Sequence, residues 1–263
     1  MTASEQRKKL EKPSNTKSYM TTLLILVLLW WSGAKTDASL STLMTGMPEM
    51  GKLLKEMVPP DWSYIDVVWK PMVETVQMAI IGTTIGGIAA IPVALLAAGN
   101  VSRSPWIYHP ARIILNLIRT IPELLFAAFF VAIFGIGAMP GVMALAFFAF
   151  GLVAKLTFEA IEAIDPGPLE AMTAVGANKW QWIHFGVLPQ VAAQYMAFFL
   201  YTFEVNIRAA AVLGLVGAGG IGLFLDRTLQ QFRYDRSSLI IILTLAIVLV
   251  IDYVSTKVRE KLL

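Results

Sequence analysis

The chain has 263 residues, 57% of them apolar and 15% charged, and a formal net charge of +3. That charge content is well below the about 25% of an ordinary soluble domain, and with a mean hydropathy of +0.67 it points to a membrane protein. The absence of cysteine excludes thiol chemistry, disulfides and Cys-ligated metals. Two histidines, His109 and His184, are too few for an imidazole metal cluster, and the small positive balance needs no nucleic-acid partner.

At the N-terminus, Arg7, Lys8, Lys9, Lys12 and Lys17 precede an apolar run over 19–33. The following Ala34-Lys35-Thr36-Asp37 is a poor cleavage site for a secretory leader. Trp30-Trp31 suit the aromatic belt at a membrane surface. Residues 1–18 are therefore expected to be a cytoplasmic tail and 19–34 a retained first span. Residues 35–71 carry Pro48, Pro59-Pro60 and Pro71 with Trp62, Tyr64 and Trp69. They are expected to form an ordered periplasmic segment that returns to the bilayer near Trp69.

Five further apolar blocks follow, at 72–98, 111–134, 139–156, 191–213 and 237–254. Each is close to or above the about 20 residues needed to cross the hydrocarbon. The predicted fold is an all-α membrane protein with six transmembrane helices and both termini cytoplasmic. The Lys and Arg residues agree with that orientation: the segments placed inside hold 12 and those placed outside hold 7. The permease-like core is 72–254, followed by a cytoplasmic tail at 255–263. Pro92 and Pro122 are expected to kink the second and third spans.

Two charge pairs lie inside spans. Arg119 and Glu123, and likewise Glu204 and Arg208, are four residues apart, which on a helix is one face. Such charges pair or face a cavity at membrane depth, so Arg119, Glu123, Glu204, Asn206 and Arg208 either line a translocation path or staple spans together. Counting 1.5 Å per residue puts Glu123 about 18 Å and Glu204 about 20 Å from the inner surface, in one layer, with Arg208 nearer the outer side. A guanidinium there offers a planar fork for an oxyanion.

The inner segment 157–190 is the most informative. Asp165-Pro166-Gly167-Pro168 breaks the preceding helix, and Pro168 is placed to start a new one with Glu170 in its first turn. Gly176 is placed to end that helix. Asn178 is placed to cap a second short helix over 179–187, which Pro189 closes. The result is an elbow with Trp180, Trp182, His184 and Phe185 on its second half. Composition alone leaves open an interfacial connector or a knob that fits a cytoplasmic partner.

Glu170-Ala171-Met172, then Gly176 with Ala177-Asn178-Lys179, then Leu188-Pro189, resemble the EAA loop of ABC importer permeases. In that pattern, E-A-A-x3-G-x9-I-x-L-P, Met172 replaces the second Ala and Gly186 replaces Ile. Methionine fills a groove adaptably, while Gly186 leaves the packing of the second helix open. Glu159 to Glu170, Leu200 to Glu204, Asn206 to Arg208 and Val216 to Gly222 are similar to phosphonate-transport permeases. The resemblance implies a type I ABC importer permease-like core with one extra N-terminal span, in a bacterial inner membrane. It also implies a homodimer, two copies of a cytoplasmic ABC ATPase that bind ATP and Mg, and a periplasmic substrate-binding protein. The implied cargo is a phosphonate, phosphite or hypophosphite, and the motifs do not separate these.

Gly217, Gly219, Gly220 and Gly222 match G-x-G-x-x-G, but they follow an apolar span instead of a strand, so a tight turn at the outer mouth is expected and not a nucleotide site. The chain also has no phosphate-cradling G-x4-G-K-[ST] loop, so no ATPase site of its own is expected. An importer for another small anion and a secondary transporter are the remaining readings. Paired repeats that would favour the latter are not visible.

Overall fold

The computed structural model describes residues 15–36 and 40–262. Positions 1–14 of the basic tail, 37–39 of the expected periplasmic segment and Leu263 lie outside them. All regular structure among the described residues is helical. The chain divides into two units, Met1–Lys55 and Glu56–Leu263.

The first unit holds α1 (Asn15–Lys35), over the expected first span, and most of α2 (Leu40–Glu56). In the second unit, a short turn at Trp62–Tyr64 leads into α3 (Ile65–Ala97) and α4 (Gly99–Ser102). Next come α5 (Pro105–Thr120), α6 (Glu123–Phe134) and α7 (Ala138–Glu162). Then follow α8 (Pro166–Ala174), α9 (Lys179–Gln181) and a π turn at Trp182–Val187. The last helices are α10 (Leu188–Leu213), α11 (Gly220–Gln230) and α12 (Tyr234–Leu262).

The core is built on α3 and α7. Gly82, Gly86, Ala90 and Ala94 recur every four residues and form one small-residue stripe along α3. A Cβ on Gly82 would stand 2.7 Å from Leu145 Cβ, and one on Gly86 would stand 2.3 Å from the Ala146 carbonyl oxygen. The two helices therefore touch backbone to backbone and run parallel, since later residues of α3 meet later residues of α7. Lipid tails are as apolar as leucine, so close packing of small residues is what holds such helices together. α10 crosses both in the opposite direction. Asn206, fully buried, donates to Thr83 Oγ1 at 2.7 Å on α3 and to the Leu145 carbonyl at 3.4 Å on α7.

At the other end, Ile221, Leu239 and Ile240 pack on Val68 and Met72. The Arg236 guanidinium meets Asp61 at 3.2 Å, and the Asp61 amide donates to the Asp235 carbonyl at 3.1 Å. The starts of α3 and α12 are thus tied side by side.

Among the described residues, four helical stretches are long and apolar enough to cross a bilayer: Trp62–Ala97, Ala138–Glu162, Lys179–Val216 and Tyr234–Leu262. The block at 72–98 starts earlier than expected, because α3 runs unbroken through Pro71 and Pro92. The block at 111–134 is not one kinked helix: α5 and α6 meet at 85°. Pro122 lacks an amide proton and pushes Ile121 into an extended conformation, φ −83 and ψ 120, which no helix continues through.

Candidate functional site

The elbow forms, with two changes from the expected boundaries. Asp165 caps α8 by accepting from the Gly167 amide at 2.9 Å, and Pro166 holds the first turn. The helix therefore starts two residues before Pro168, and Glu170 sits past the first turn instead of within it. Gly176, at φ +74, ends it. The Ala177 amide donates to the Met172 carbonyl at 3.0 Å and the Gly176 amide to that of Thr173 at 3.1 Å, which satisfies two otherwise orphaned carbonyls.

Asn178 then caps α9 reciprocally with Gln181, through bonds of 3.0 Å in each direction. Pro189 does not close this second helix. The path widens into the π turn and runs on into α10 with Pro189 in its first turn.

Side chains fix the elbow to the core. Gln190 accepts from the Asp165 amide at 3.1 Å and donates to the Gly186 carbonyl at 2.7 Å, pinning the start of α8 to the π turn. Trp182 is buried and donates to the Leu169 carbonyl at 3.1 Å. Lys179 donates to the Val101 carbonyl and lies over the Trp182 ring. The loop carrying α4 is stitched to the end of α7: the Gly99 amide donates to Glu162 at 2.8 Å, and Asn100 donates to the Ile161 carbonyl at 2.6 Å. Arg112 bridges the two, pairing with Glu162 and donating to the Ala97 carbonyl. Asn100, Arg112 and Glu162 were not singled out in the sequence. Opposite charges flanking apolar blocks were the available signal, but their pairing is a tertiary fact.

Three large apolar side chains remain outward among polar ones. Val175, Trp180 and Phe185 are 76%, 79% and 61% exposed. Glu170, Ala171 and Asn178 are exposed near them, and Leu188 and Pro189 are exposed at the root of α10. Chemically this is a rigid, aromatic-tipped projection with no cluster of acids, bases or nucleophiles.

The intramembrane charges are arranged differently from the expectation. Arg119 and Glu123 do not share a helix face, because the break at Pro122 puts them on opposite sides of the 85° bend. Glu204 and Arg208 do pair, at 3.0 Å. Two residues of α12 complete the group: Arg259 meets Glu204 at 2.8 Å, and Asp252 meets Arg208 at 3.4 Å. Arg208 stands opposite Asp252 of α12, while Asn206, two residues earlier, meets Thr83 midway along α3. Asn206 is enclosed by three helices and lines no open space.

The glycine run makes a tight turn. Gly217, Gly219 and Gly220 have φ of +86, +78 and +68, values that other residues adopt at a cost. A Cβ on Gly222 would stand 2.3 Å from the Ala211 carbonyl oxygen. The Gly137 amide donates to the Gly217 carbonyl at 3.1 Å, and the Ile221 amide to Thr75 Oγ1 at 2.8 Å, so the turn joins the starts of α7 and α11 to α3.

The family model described as binding-protein-dependent transport system inner membrane component matches residues 90–262. The chain belongs to this family. As an inner membrane component it is an integral membrane transport subunit, and the matched region holds the elbow, the charge group and the glycine turn. It is similar to the phosphite transport system permease protein PtxC of Stutzerimonas stutzeri, 39% identical over 237 residues, or 90% of this chain and 85% of that one. It is also similar to the putative phosphite transport system permease protein HtxC of the same organism, 36% identical over 247 residues, covering 94% and 88%. A chain of the MetNI methionine ABC transporter, in inward facing conformations, superposes with a TM-score of 0.68 at 22% identity, covering 77% of this chain and 99% of that one. At that identity the likeness speaks to the fold alone.

Proposed function

We propose that this chain is the permease subunit of an ATP-driven importer that passes a small phosphorus oxyanion, a phosphonate or phosphite or hypophosphite, from a periplasmic binding protein into the cytoplasm. The observation that carries the reading is the elbow: exposed Val175, Trp180 and Phe185 on a base pinned by Gln190, Trp182 and Lys179. A projection that is rigid at its root and apolar at its tip suits a cleft on a partner that must push on it. The names of the phosphite-permease relatives support the substrate class.

In this reading the chain has six spans, α1 among them, with both termini cytoplasmic and the membrane a bacterial inner membrane. Two copies form a homodimer that seats two ATPases, which hold ATP and Mg. Glu170, Ala171, Met172, Gly176, Ala177, Asn178, Lys179, Leu188 and Pro189 form the coupling loop. Opening and closing of the ATPases biases the dimer between inward-open and outward-open states. Arg208, half-exposed although engaged by two carboxylates, offers the oxyanion a guiding field instead of a tight pocket. Arg119 and Glu123, at the break between α5 and α6, are further candidates for the path. The glycine turn at Gly217, Gly219, Gly220 and Gly222 sits at its outer mouth.

Reconstitution in proteoliposomes with the ATPase and the periplasmic receptor tests this. Uptake of phosphite or an alkylphosphonate that needs ATP and all three components is the expected result. Uptake by the chain alone, without ATPase, would refute the proposal in favour of a secondary transporter.

A further inference from the structure

Helix α2 carries an apolar stripe that no described residue of its own unit covers. Leu43, Met44, Met47, Met50 and Leu54 fall on one side at helical spacing, and all five are at least 60% exposed. Thr45, Glu49, Lys52 and Glu56 occupy the opposite side, where Lys52 Nζ meets Glu49 Oε1 at 2.7 Å. A helix divided this cleanly buries its stripe against something, and an apolar patch of this kind left in water invites association.

The chain's own length says what covers it. The apolar run of α1 ends at Trp30-Trp31, side chains that settle at the headgroup level of a bilayer. Leu40 follows Lys35 by five residues, so α2 starts within about 18 Å of the end of α1 even at full extension. A helix tethered that close to the membrane surface has a ready apolar phase for its stripe. The charges fit as well. Two lysines, Lys52 and Lys55, balance Glu49 and Glu56, so no field holds the helix away from the surface or requires anionic lipid. Lys55, at the edge of the stripe, can lay its stem on apolar surface with its ammonium among headgroups.

We infer that α2 lies in the outer membrane interface, parallel to the bilayer plane, with Leu43, Met44, Met47, Met50 and Leu54 in the boundary between headgroups and acyl chains. This rests on the reading of α1 as a span. The interface then holds the periplasmic segment flat on the membrane.

The cysteine-free sequence makes the test clean. Single-cysteine variants Met47→Cys, Met50→Cys, Thr45→Cys and Leu26→Cys of the full chain are labelled with an environment-sensitive fluorophore and placed in phosphatidylcholine vesicles. The vesicles contain lipids with a nitroxide near the headgroup or at the chain end. Blue-shifted emission at positions 47 and 50, quenched by the headgroup-proximal nitroxide, with water-like emission at 45, is the expected result. It should not change when anionic lipid is added. Water-like emission at 47 and 50 overturns the inference, as does shielding that appears only when the periplasmic receptor is added, which would assign the stripe to that protein. Position 26 separates the two readings. Quenching there by the chain-end nitroxide upholds the span whatever α2 does, and its absence removes the premise.

Discussion

Leu169 occupies the space above Gly186: a Cβ placed on the glycine would stand 2.9 Å from Leu169 Cδ2, while Met172 Cγ, at 3.7 Å, would be in ordinary contact. The two positions at which the elbow departs from the EAA pattern are thus neighbours, but Leu169 fills the room that the missing Cβ leaves. Gly186→Ile should overpack this contact and lower stability by about 1–3 kcal/mol. Adding Met172→Ala should recover only a part of that loss, because Leu169 stays in place. Thermal unfolding of the two single variants and the double variant checks this, and strictly additive losses would show that the residues are not coupled.

The contact between α3 and α7 should be similarly intolerant. A Cβ on Gly86 meets backbone at 2.3 Å, whereas one on Gly46 meets nothing within 4 Å. Gly86→Ala should therefore force the helices apart and cost about 1–3 kcal/mol, while Gly46→Ala should leave stability unchanged or slightly raised. Melting curves of the two variants in the same detergent make the comparison.

Glu204 is the hub of the charge group, because both Arg208 and Arg259 reach it. Glu204→Gln should cost more than removal of either arginine, on the order of 3 kcal/mol, since it leaves partly buried guanidiniums without their shared anion. Arg208→Ala should lower transport while leaving the ATPase bound, because Arg259 still holds Glu204. Loss of assembly on Arg208→Ala would instead make the whole group a structural staple.

The junction between Asp61 and Arg236 predicts a pH dependence. Hydrogen bonds from the Ser63 side chain, and then the Arg236 guanidinium, hold the Asp61 carboxyl below its ordinary range. A carboxyl whose folded value is depressed contributes stability above its unfolded value and loses it as pH falls through the folded one. The starts of α3 and α12 should therefore loosen in acid, and Asp61→Asn should remove that part of the acid sensitivity. Hydrogen exchange at Trp62–Tyr64 as a function of pH measures it.

These contacts separate what the sequence carries from what it does not. The elbow was legible because its parts are local: a cap at Asn178, a left-handed glycine at Gly176 and a proline placed to start a helix. The boundaries moved because Asp165 caps the helix so that Pro166, and not Pro168, is its first residue, and because a π turn absorbed Pro189. Apolar blocks gave the long helices, but a proline alone does not say whether a helix bends or breaks. Pro92 lies within a continuous helix, while Pro122 ends one. The stripe at Gly82, Gly86, Ala90 and Ala94 was visible as a spacing and went unread. The partners Asp252 and Arg259 could not be read, because the register between α10 and α12 is set by packing.

The central claim is that the elbow seats an ATPase, and co-purification tests it most directly. Tagged chain, expressed with its cognate ATPase, should retain that subunit in stoichiometric amount, and the double variant Trp180→Ala with Phe185→Ala should lose it while keeping its own melting temperature. Full retention by the double variant, with the chain folded, would contradict the account.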